Sequence, residues 1–595
     1  MPSPSQLAVY ETFEAVYGRK SSMDELIAEI RPFTQQSVLW VCAVIVTGMQ
    51  LWNRVDSQPA DVYRSLLSLY FDPELHIRFI VGHWSANPRR VLFHRRQVLL
   101  IAKIAIVHCS GGTDARLHAE RFGSILLKAN DQFDYGLLAG LANAGRPPSK
   151  REEFSRILAE MVAVGEDASP EIAQLITRSH LMLTRFTDEL RQDPDFVDVA
   201  GEYQTATGLT LVEYEAMIFG THARFGEELS KALYRDPGTL PLKEANFATT
   251  PIEPKKVSKF LDLLASNPAK MARELRLKDN GPNDFTIFRR FPLVQQFYNL
   301  HLRTAWCGYL MMDNLFFLEK VLTGPYWHAS SHHGLKLRKF WGAVFEKYVN
   351  ELMGRACAGT QARFIPDPRP SGRPDMQICD GIVVSGDSII LMEYKSSMFR
   401  ADTKYSGDHL ALTAEIETKL VEDKESSDRK GVLQLSEAVQ TLFGVNGAKA
   451  LPGIDLTKIK RVYLYIVTLD SIGGTIGMSA FLNTFLDEHL DRKAFPSIQI
   501  RPIFCSEIES LETVTGFFAK PTLPEILERW FDSNPSLTAP LQAIDLGRFS
   551  WRENDWLRTE WISIYKNMVA ILFPNESPDR VVAEGMKRAH RFRRR

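Results

Sequence analysis

The stretch that most constrains this chain is RPDMQICDGIVVSGDSIILMEYKSS, residues 373–397. CDGIVV and IILMEYK are β-rich apolar runs separated by SGDS, whose serine, glycine and aspartate supply turn chemistry between paired strands. With those four residues as the loop, Val384 lies opposite Ile389, Ile382 opposite Leu391 and Asp380 opposite Glu393. Directly opposed side chains share one face of a ladder, and the period of two brings Lys395 to that face as well. Two carboxylates and an ammonium therefore converge at the end of an apolar hairpin. The bland alternative is an exposed cross-strand charge cluster on an ordinary strand pair.

Hard divalent cations such as Mg2+ take oxygen ligands, commonly one or two protein carboxylates completed by water and substrate phosphate. Asp380 and Glu393 have the chemistry for that role. A lysine beside such an ion can orient an attacking water and offset charge building in the transition state. Lys395 has the chemistry for that one.

Asp380, followed thirteen positions later by Glu393-Tyr394-Lys395, resembles the active-site signature of the PD-(D/E)XK nuclease superfamily, the restriction-endonuclease-like fold. Flanking segments extend the resemblance over roughly residues 335–515. LKLRKFWGAVFEKYVNELMGRA (335–356) resembles the family's leading helix, where a glutamate often adds a metal ligand; Glu346, four after Gly342, is the matching position. GVLQLSEAVQTLF (431–443) resembles the helix after the E-x-K strand, with Gln434 where many members carry a site-facing glutamine. RVYLYIVTLD (461–470) and IQIRPIFCSEIESLE (498–512) match a later strand and an edge strand running into a helix. The resemblance implies an α/β core of order αβββαβ and metal-dependent hydrolysis of phosphodiester bonds in DNA, leaving a 5′-phosphate. It implies Mg2+, with Mn2+ as a substitute, held by Asp380, Glu393, the Tyr394 carbonyl and Glu346. Lys395 would position the water, and Glu346 and Gln434 would support the site.

The chain departs from the pattern in two places. Its Pro-Asp dipeptide, Pro374-Asp375, precedes Asp380 by an odd offset, which puts the two aspartates on opposite faces of an unbroken strand. Asp380 is therefore favoured unless a bulge at 377–379 shifts the register. On a helical wheel Leu337, Phe340, Trp341, Val344, Phe345, Tyr348 and Leu352 form the apolar face of 335–356; Glu351 falls inside it and Glu346 borders it. A glutamate within an apolar face needs a partner, so Glu351 competes with Glu346.

The remainder of the chain sets the context. Its 595 residues suffice for several domains, and 45% hydrophobic with 24% charged residues is ordinary globular composition. A net charge of −1 makes any nucleic-acid surface a local groove rather than a global field. Six scattered cysteines with no C-x-x-C pair indicate neither a zinc site nor a disulfide framework. The start MPSPSQLAVYETFEAVYG lacks a basic, apolar leader, and SVLWVCAVIVTGMQLW (37–52) is short for a span and reads as a buried helix; a cytoplasmic protein without membrane contact is expected.

Residues 1–325 read as a large, mainly helical region, with helical periodicity in 6–17, 60–70, 95–107, 153–164, 170–185 and 211–233. A linker-like sub-boundary lies at 241–260, and residues 326–520 form the nuclease-like domain. Residues 521–595 add C-terminal helices and the basic tail KRAHRFRRR, which could lie on a nucleic-acid backbone or serve only solubility. PRRVLFHRRQ (88–97) could touch phosphate, with a solvated helix face as the alternative. ASSHHG, with His332 and His333 near His328, reads as loop rather than a metal site. Residues 402–430 read as a solvated helix and mobile loop beside the site. Two rivals stand beside a nuclease: a catalytically silent nucleic-acid-binding module, and a helical scaffold that binds a protein partner through the N-terminal region. With no G-x-x-x-x-G-K-[ST] loop in the chain, a nuclease carrying this helical region would also suit a restriction or phage-defence system.

Overall fold

The computed structural model describes residues 9–52, 66–75, 90–109, 111–133, 149–164, 171–234, 239–279, 281–299, 305–370, 376–423, 428–444, 451, 453–516, 522–541 and 554–583. The fold is mixed α/β and divides into two compact units, both discontinuous in sequence. The first contains residues 1–5, 135–198 and 329–561; the second contains 6–134, 199–328 and 562–595.

In chain order the first unit contains helices α1 (Lys150–Val164) and α2 (Ile172–Leu181), then α3 (Leu335–Cys357). Strands β1 (Arg363–Pro366), β2 (Gly381–Ser385) and β3 (Ser388–Lys395) follow, then α4 (His409–Ile416) and α5 (Gly431–Phe443). The unit continues with β4 (Arg461–Thr468), α6 (Met478–His489), β5 (Gln499–Glu507), α7 (Ile508–Thr515) and α8 (Leu523–Ser533). The five strands form one sheet in their sequence order. β1, β2 and β3 are antiparallel, whereas β3–β4 and β4–β5 are parallel, each parallel step needing a helical crossover supplied by α5 and α6. The β4–β5 register slips between Val462 and Leu464, where β5 contains Pro502; a proline has no N–H for the ladder.

The β2–β3 register is the expected one, Val384 opposite Ile389 and Ile382 opposite Leu391. The turn is tighter than a four-residue loop, because Ser385 pairs with Ser388 and only Gly386 and Asp387 are unpaired. Gly386 takes φ 61°, and a positive φ at the first central position of a two-residue hairpin favours glycine. The turn also anchors β4: the Asp387 carbonyl accepts from the Lys460 and Arg461 N–H groups, and its carboxylate pairs with Arg461 at 2.7 Å.

Strand alternation builds two apolar layers. Ile382, Ile389, Leu391, Leu464 and Ile466 join Val432, Leu435 and Val439 of α5 and Phe481 and Leu482 of α6 in one buried core. Leu158 and Val162 of α1 and Leu412 and Ile416 of α4 complete it. On the other side, Phe504 packs on Trp530 and Tyr463 stacks on Phe531, both rings from α8. α3 contacts β1 and β3, and every residue of its expected apolar face is buried. Its Tyr348 donates to Glu512 of α7 at 2.5 Å, and Glu512 accepts twice from Arg178 of α2 at 2.9 Å. Arg178 also pairs with Glu509.

In the second unit the 37–52 segment lies in a helix, Gln35–Trp52, whose residues 38–46 are buried, as expected of a core helix. No helix among the described residues is long and apolar enough to cross a membrane. Besides its helices, the 1–325 region contains strands Leu293–Asn299 and Ala305–Met311 in a three-stranded sheet. Three expectations are corrected. The division at 325/326 gives way to one in which 135–198 belongs with the sheet-bearing unit, because Leu158, Ala159 and Val162 fill the same core as the strands. The 241–260 stretch is no free linker: Leu242, Phe247 and Ile252 are buried, and a helix begins at Pro254. ASSHHG is helical, within Asn314–His333, rather than loop. The tail 587–595 lies outside the described residues.

Candidate functional site

The site forms where β2 and β3 end beside α3 and α5. Asp380 immediately precedes β2, and its N–H donates to the carbonyl of Met392, the residue already paired with Gly381, at 3.0 Å, so the regular ladder ends there. Its Oδ2 accepts from the Tyr394 N–H at 2.6 Å, which holds the carboxylate against the E-x-K main chain. Gln377 donates to Oδ1 at 3.3 Å. The Tyr394 ring takes no part in this contact, since successive strand side chains point to opposite faces.

Glu393 and Lys395 share a face, as the period of two requires. Lys395 Nζ donates to Glu393 Oε2 at 2.6 Å and to Gln434 Oε1 at 2.8 Å. The approach of α5 that permits the second bond depends on Gly431: a Cβ there would lie 2.8 Å from the Leu420 carbonyl and 3.5 Å from Lys395 Cε. Gln434 is one turn further along α5. Glu393, Gln434, Gln377, Met376, Arg429 and Glu437 line a cleft, and Arg429 pairs with Glu437.

The electrostatics are those of crowded carboxylates. Glu393 is only 1% exposed; burial, with Asp380 beside it, raises its pKa to about 8 against the pull of Lys395. Glu346 rises to about 7 through burial and the nearby Asp380 and Asp367 charges, opposed by Lys395 and a hydrogen bond from Asn350. Burial alone would lower Lys395, but Glu393, Asp380 and Glu346 outweigh it and keep the ammonium above its usual value.

Asp380, Glu393, Lys395, Gln434 and Glu346 are therefore brought together. Glu351 is not: it is half-exposed and accepts from Arg355 at 2.6 Å and Arg185 at 3.3 Å, which supply the partners its position demanded. Asp375 and Pro374 lie outside the described residues. Arg95 and Arg96 of the basic 88–97 stretch are tied inside the second unit, Arg95 to Asp313 and Arg96 to Asn283, which removes both the phosphate and the solvated-face readings for these two. The 402–430 segment is more anchored than expected, with Leu412, Ile416 and Leu420 in the core and Lys404 buried on Asp470 at 2.7 Å; residues 424–427 lie outside the described residues.

One acidic residue escaped sequence reasoning. Asp367 follows β1 and lies opposite Asp380, its N–H donating to the Asp380 carbonyl at 3.1 Å. The sequence carried little signal for it, because residues 367–380 between β1 and β2 form a long connection rather than a tight turn. Among the described residues, no three histidine, cysteine, aspartate or glutamate side chains form a metal cage. No family model, curated protein or solved structure matches the chain.

Proposed function

We propose that the first unit is a metal-dependent nuclease of the PD-(D/E)XK, restriction-endonuclease-like kind, hydrolysing phosphodiester bonds in DNA. The observation that carries the reading is the placement of Lys395 Nζ between Glu393 and Gln434, on the strand whose main chain holds Asp380. The donor set suits Mg2+, which keeps several waters and uses one or two carboxylates rather than an all-protein cage. Asp380 and Glu393 would hold the ion, with the Tyr394 carbonyl and Glu346 assisting. When bound, it would lower the pKa of a water and offset negative charge on the phosphoryl oxygens.

Lys395 performs two tasks in this reading. Its ammonium hydrogen-bonds and orients the attacking water, and it stabilises charge that develops as the phosphorus–oxygen bond breaks. Gln434 fixes the Lys395 rotamer through its 2.8 Å bond, and its amide nitrogen remains as a donor. Glu346 and Glu393, both raised toward neutrality, ionise readily only when positive charge enters the site. The site thus assembles its full negative charge together with the ion.

The test is cleavage of plasmid, linear duplex and single-stranded DNA by the full chain with Mg2+, Mn2+ or excess EDTA. Cleavage with either metal and none in EDTA is expected. Undiminished cleavage in EDTA, or no cleavage of any substrate under any condition, would overturn the reading.

A further inference from the structure

The cleft beside the site extends along α5. Gln434, Glu437, Ala438 and Thr441 recur at i, i+3, i+4 and i+7, so one face of that helix lines the cleft for about 10 Å from the end where Gln434 holds Lys395. Ile378 and Cys379, just before β2, supply an apolar wall. Among the described residues that line the cleft, Arg429 is the only cation. Lys395, the other cation of the site, is already held by Glu393 and Gln434.

Two features set Arg429 apart from an ordinary surface arginine. The first is its placement. Residues 428–429 pair with 422–423 in a short antiparallel ladder, Arg429 opposite Glu422, and α5 begins at Gly431. Arg429 and Lys430 thus bring two cations to the N-terminus of a thirteen-residue helix, the end that already carries the positive pole of its dipole. Lys430, at the N-cap position, makes no side-chain cap, whereas an oxygen-bearing or acidic residue is the favourable choice there. That end of α5 is suited to an anion. The second feature is the partner. The Arg429 guanidinium pairs with Glu437, in the second turn of the same helix, and both side chains are about half exposed. Such pairs contribute little to stability, so exchanging the Glu437 carboxylate for another anion costs little. A guanidinium fork matches two phosphate oxygens as well as it matches a carboxylate.

We propose that Arg429 binds a phosphodiester of the substrate strand next to the scissile one, and that Glu437 holds that place in the substrate-free protein. This rests on the nuclease reading of the same site. The scissile phosphate then lies beside Lys395 and its neighbour between Arg429 and the first turns of α5, while Glu437, half exposed, is left to water. A phosphate contact fixes the register of the strand and adds affinity without reading its bases.

The experiment is single-turnover cleavage of duplex and single-stranded DNA by the full chain with Mg2+ or Mn2+, as a function of enzyme concentration at several salt concentrations. The half-saturating concentration reports affinity and the plateau rate reports chemistry. Wild type is compared with Arg429→Gln, Arg429→Lys, Glu437→Gln and the double variant Arg429→Gln/Glu437→Gln, with melting temperatures as the folding control. Arg429→Gln should raise the half-saturating concentration about tenfold and make its salt dependence shallower by about one, with the plateau unchanged. Arg429→Lys should keep the salt dependence. Glu437→Gln should tighten binding, and more so with Arg429 present than in the Arg429→Gln background, because only then does it release a pair. If Arg429→Gln saturates as wild type does with the same salt dependence, or loses plateau rate alone, the inference is overturned and the nuclease reading stands. An equal gain from Glu437→Gln in both backgrounds would overturn the exchange with Glu437. If wild type cleaves no DNA with either metal, the nuclease reading itself fails and carries this inference with it.

Discussion

Glu346 and Tyr348 stand two residues apart on α3, roughly 200° around the helix, and join buried charge clusters that are closed in different ways. Around Tyr348, Arg178 donates to both oxygens of Glu512 and also pairs with Glu509, while the tyrosine hydroxyl supplies a further donor. That cluster satisfies its main acceptors from within. Around Glu346, one lysine faces Asp380, Glu393 and Glu346 itself, Asp367 adds a further negative charge near Glu346, and two acceptor oxygens have no donor. Burial raises the pKa of a glutamate in each cluster, Glu512 to about 7 and Glu393 to about 8. A shifted pKa therefore does not mark the site; the unmatched negative charge beside a cleft does.

The comparison is broken most directly at Asp380 and Glu393. Asp380→Ala or Glu393→Ala should abolish DNA cleavage while leaving near-native melting, and full activity in either variant would end the catalytic reading. Next in size, Arg178→Met leaves Glu512 buried without its cation, which should cost about 3–5 kcal/mol of stability. Chemical denaturation would measure that loss, and cleavage per folded molecule should be unchanged. Lys395→Ala should slow single-turnover cleavage about a hundredfold, near 2.7 kcal/mol, with little change in affinity. A loss of DNA affinity with saturated turnover preserved would make Lys395 a phosphate anchor instead.

Smaller effects sharpen the contrast. Glu346→Gln should lower the rate about tenfold at limiting Mg2+ with little change in melting temperature. Glu351→Gln, which removes only partly exposed pairs, should leave the rate alone; the reverse pattern would move the supporting role to Glu351. The pH dependence follows from the raised carboxyls. Glu346, Glu393 and Glu512 bind protons more tightly folded than unfolded, so the metal-free protein should lose stability as pH rises from about 4.5 to about 8. The slope is at most about 1.4 kcal/mol per pH unit for each group. Divalent cations should remove the share due to Glu346 and Glu393 and leave that of Glu512, which Glu512→Gln should remove. Denaturation midpoints across that range, with and without Mn2+, would separate the two.

The hairpin and α3 were legible because their information is local. Alternation sets the register of 380–395, and a 3.6-residue period sets the buried face of 335–357. Gln434 was legible only through resemblance, since nothing in GVLQLSEAVQTLF by itself aims a glutamine at Lys395. Asp367 was missed because β1 is short and half-exposed, which leaves RFIP without an apolar alternation to register against β2. The placement of α1 was not legible for a different reason. Its partners Leu412, Ile416 and Phe481 lie hundreds of residues away in sequence, and a helix's apolar face does not name what it will cover. The three-stranded sheet of the second unit did leave a trace, the β-branched and aromatic residues of LVQQFYN, but a helical reading of the whole region obscured it.

The two-residue turn at Gly386–Asp387 makes the chemistry of this chain a matter of parity. Gly381 meets Met392, which brings Asp380 beside Glu393, because the residues between them divide evenly about that turn. A single inserted residue there would slide β3 by one position and send either the glutamate and lysine or their partner aspartate to the far side of the sheet. Lengthening the hairpin by two, one residue on each strand, would preserve the pairing and move it outward by one pleat. Length variation in this segment is therefore tolerable only in symmetric steps, whereas the crossover between Lys395 and Gly431 carries no such counting rule.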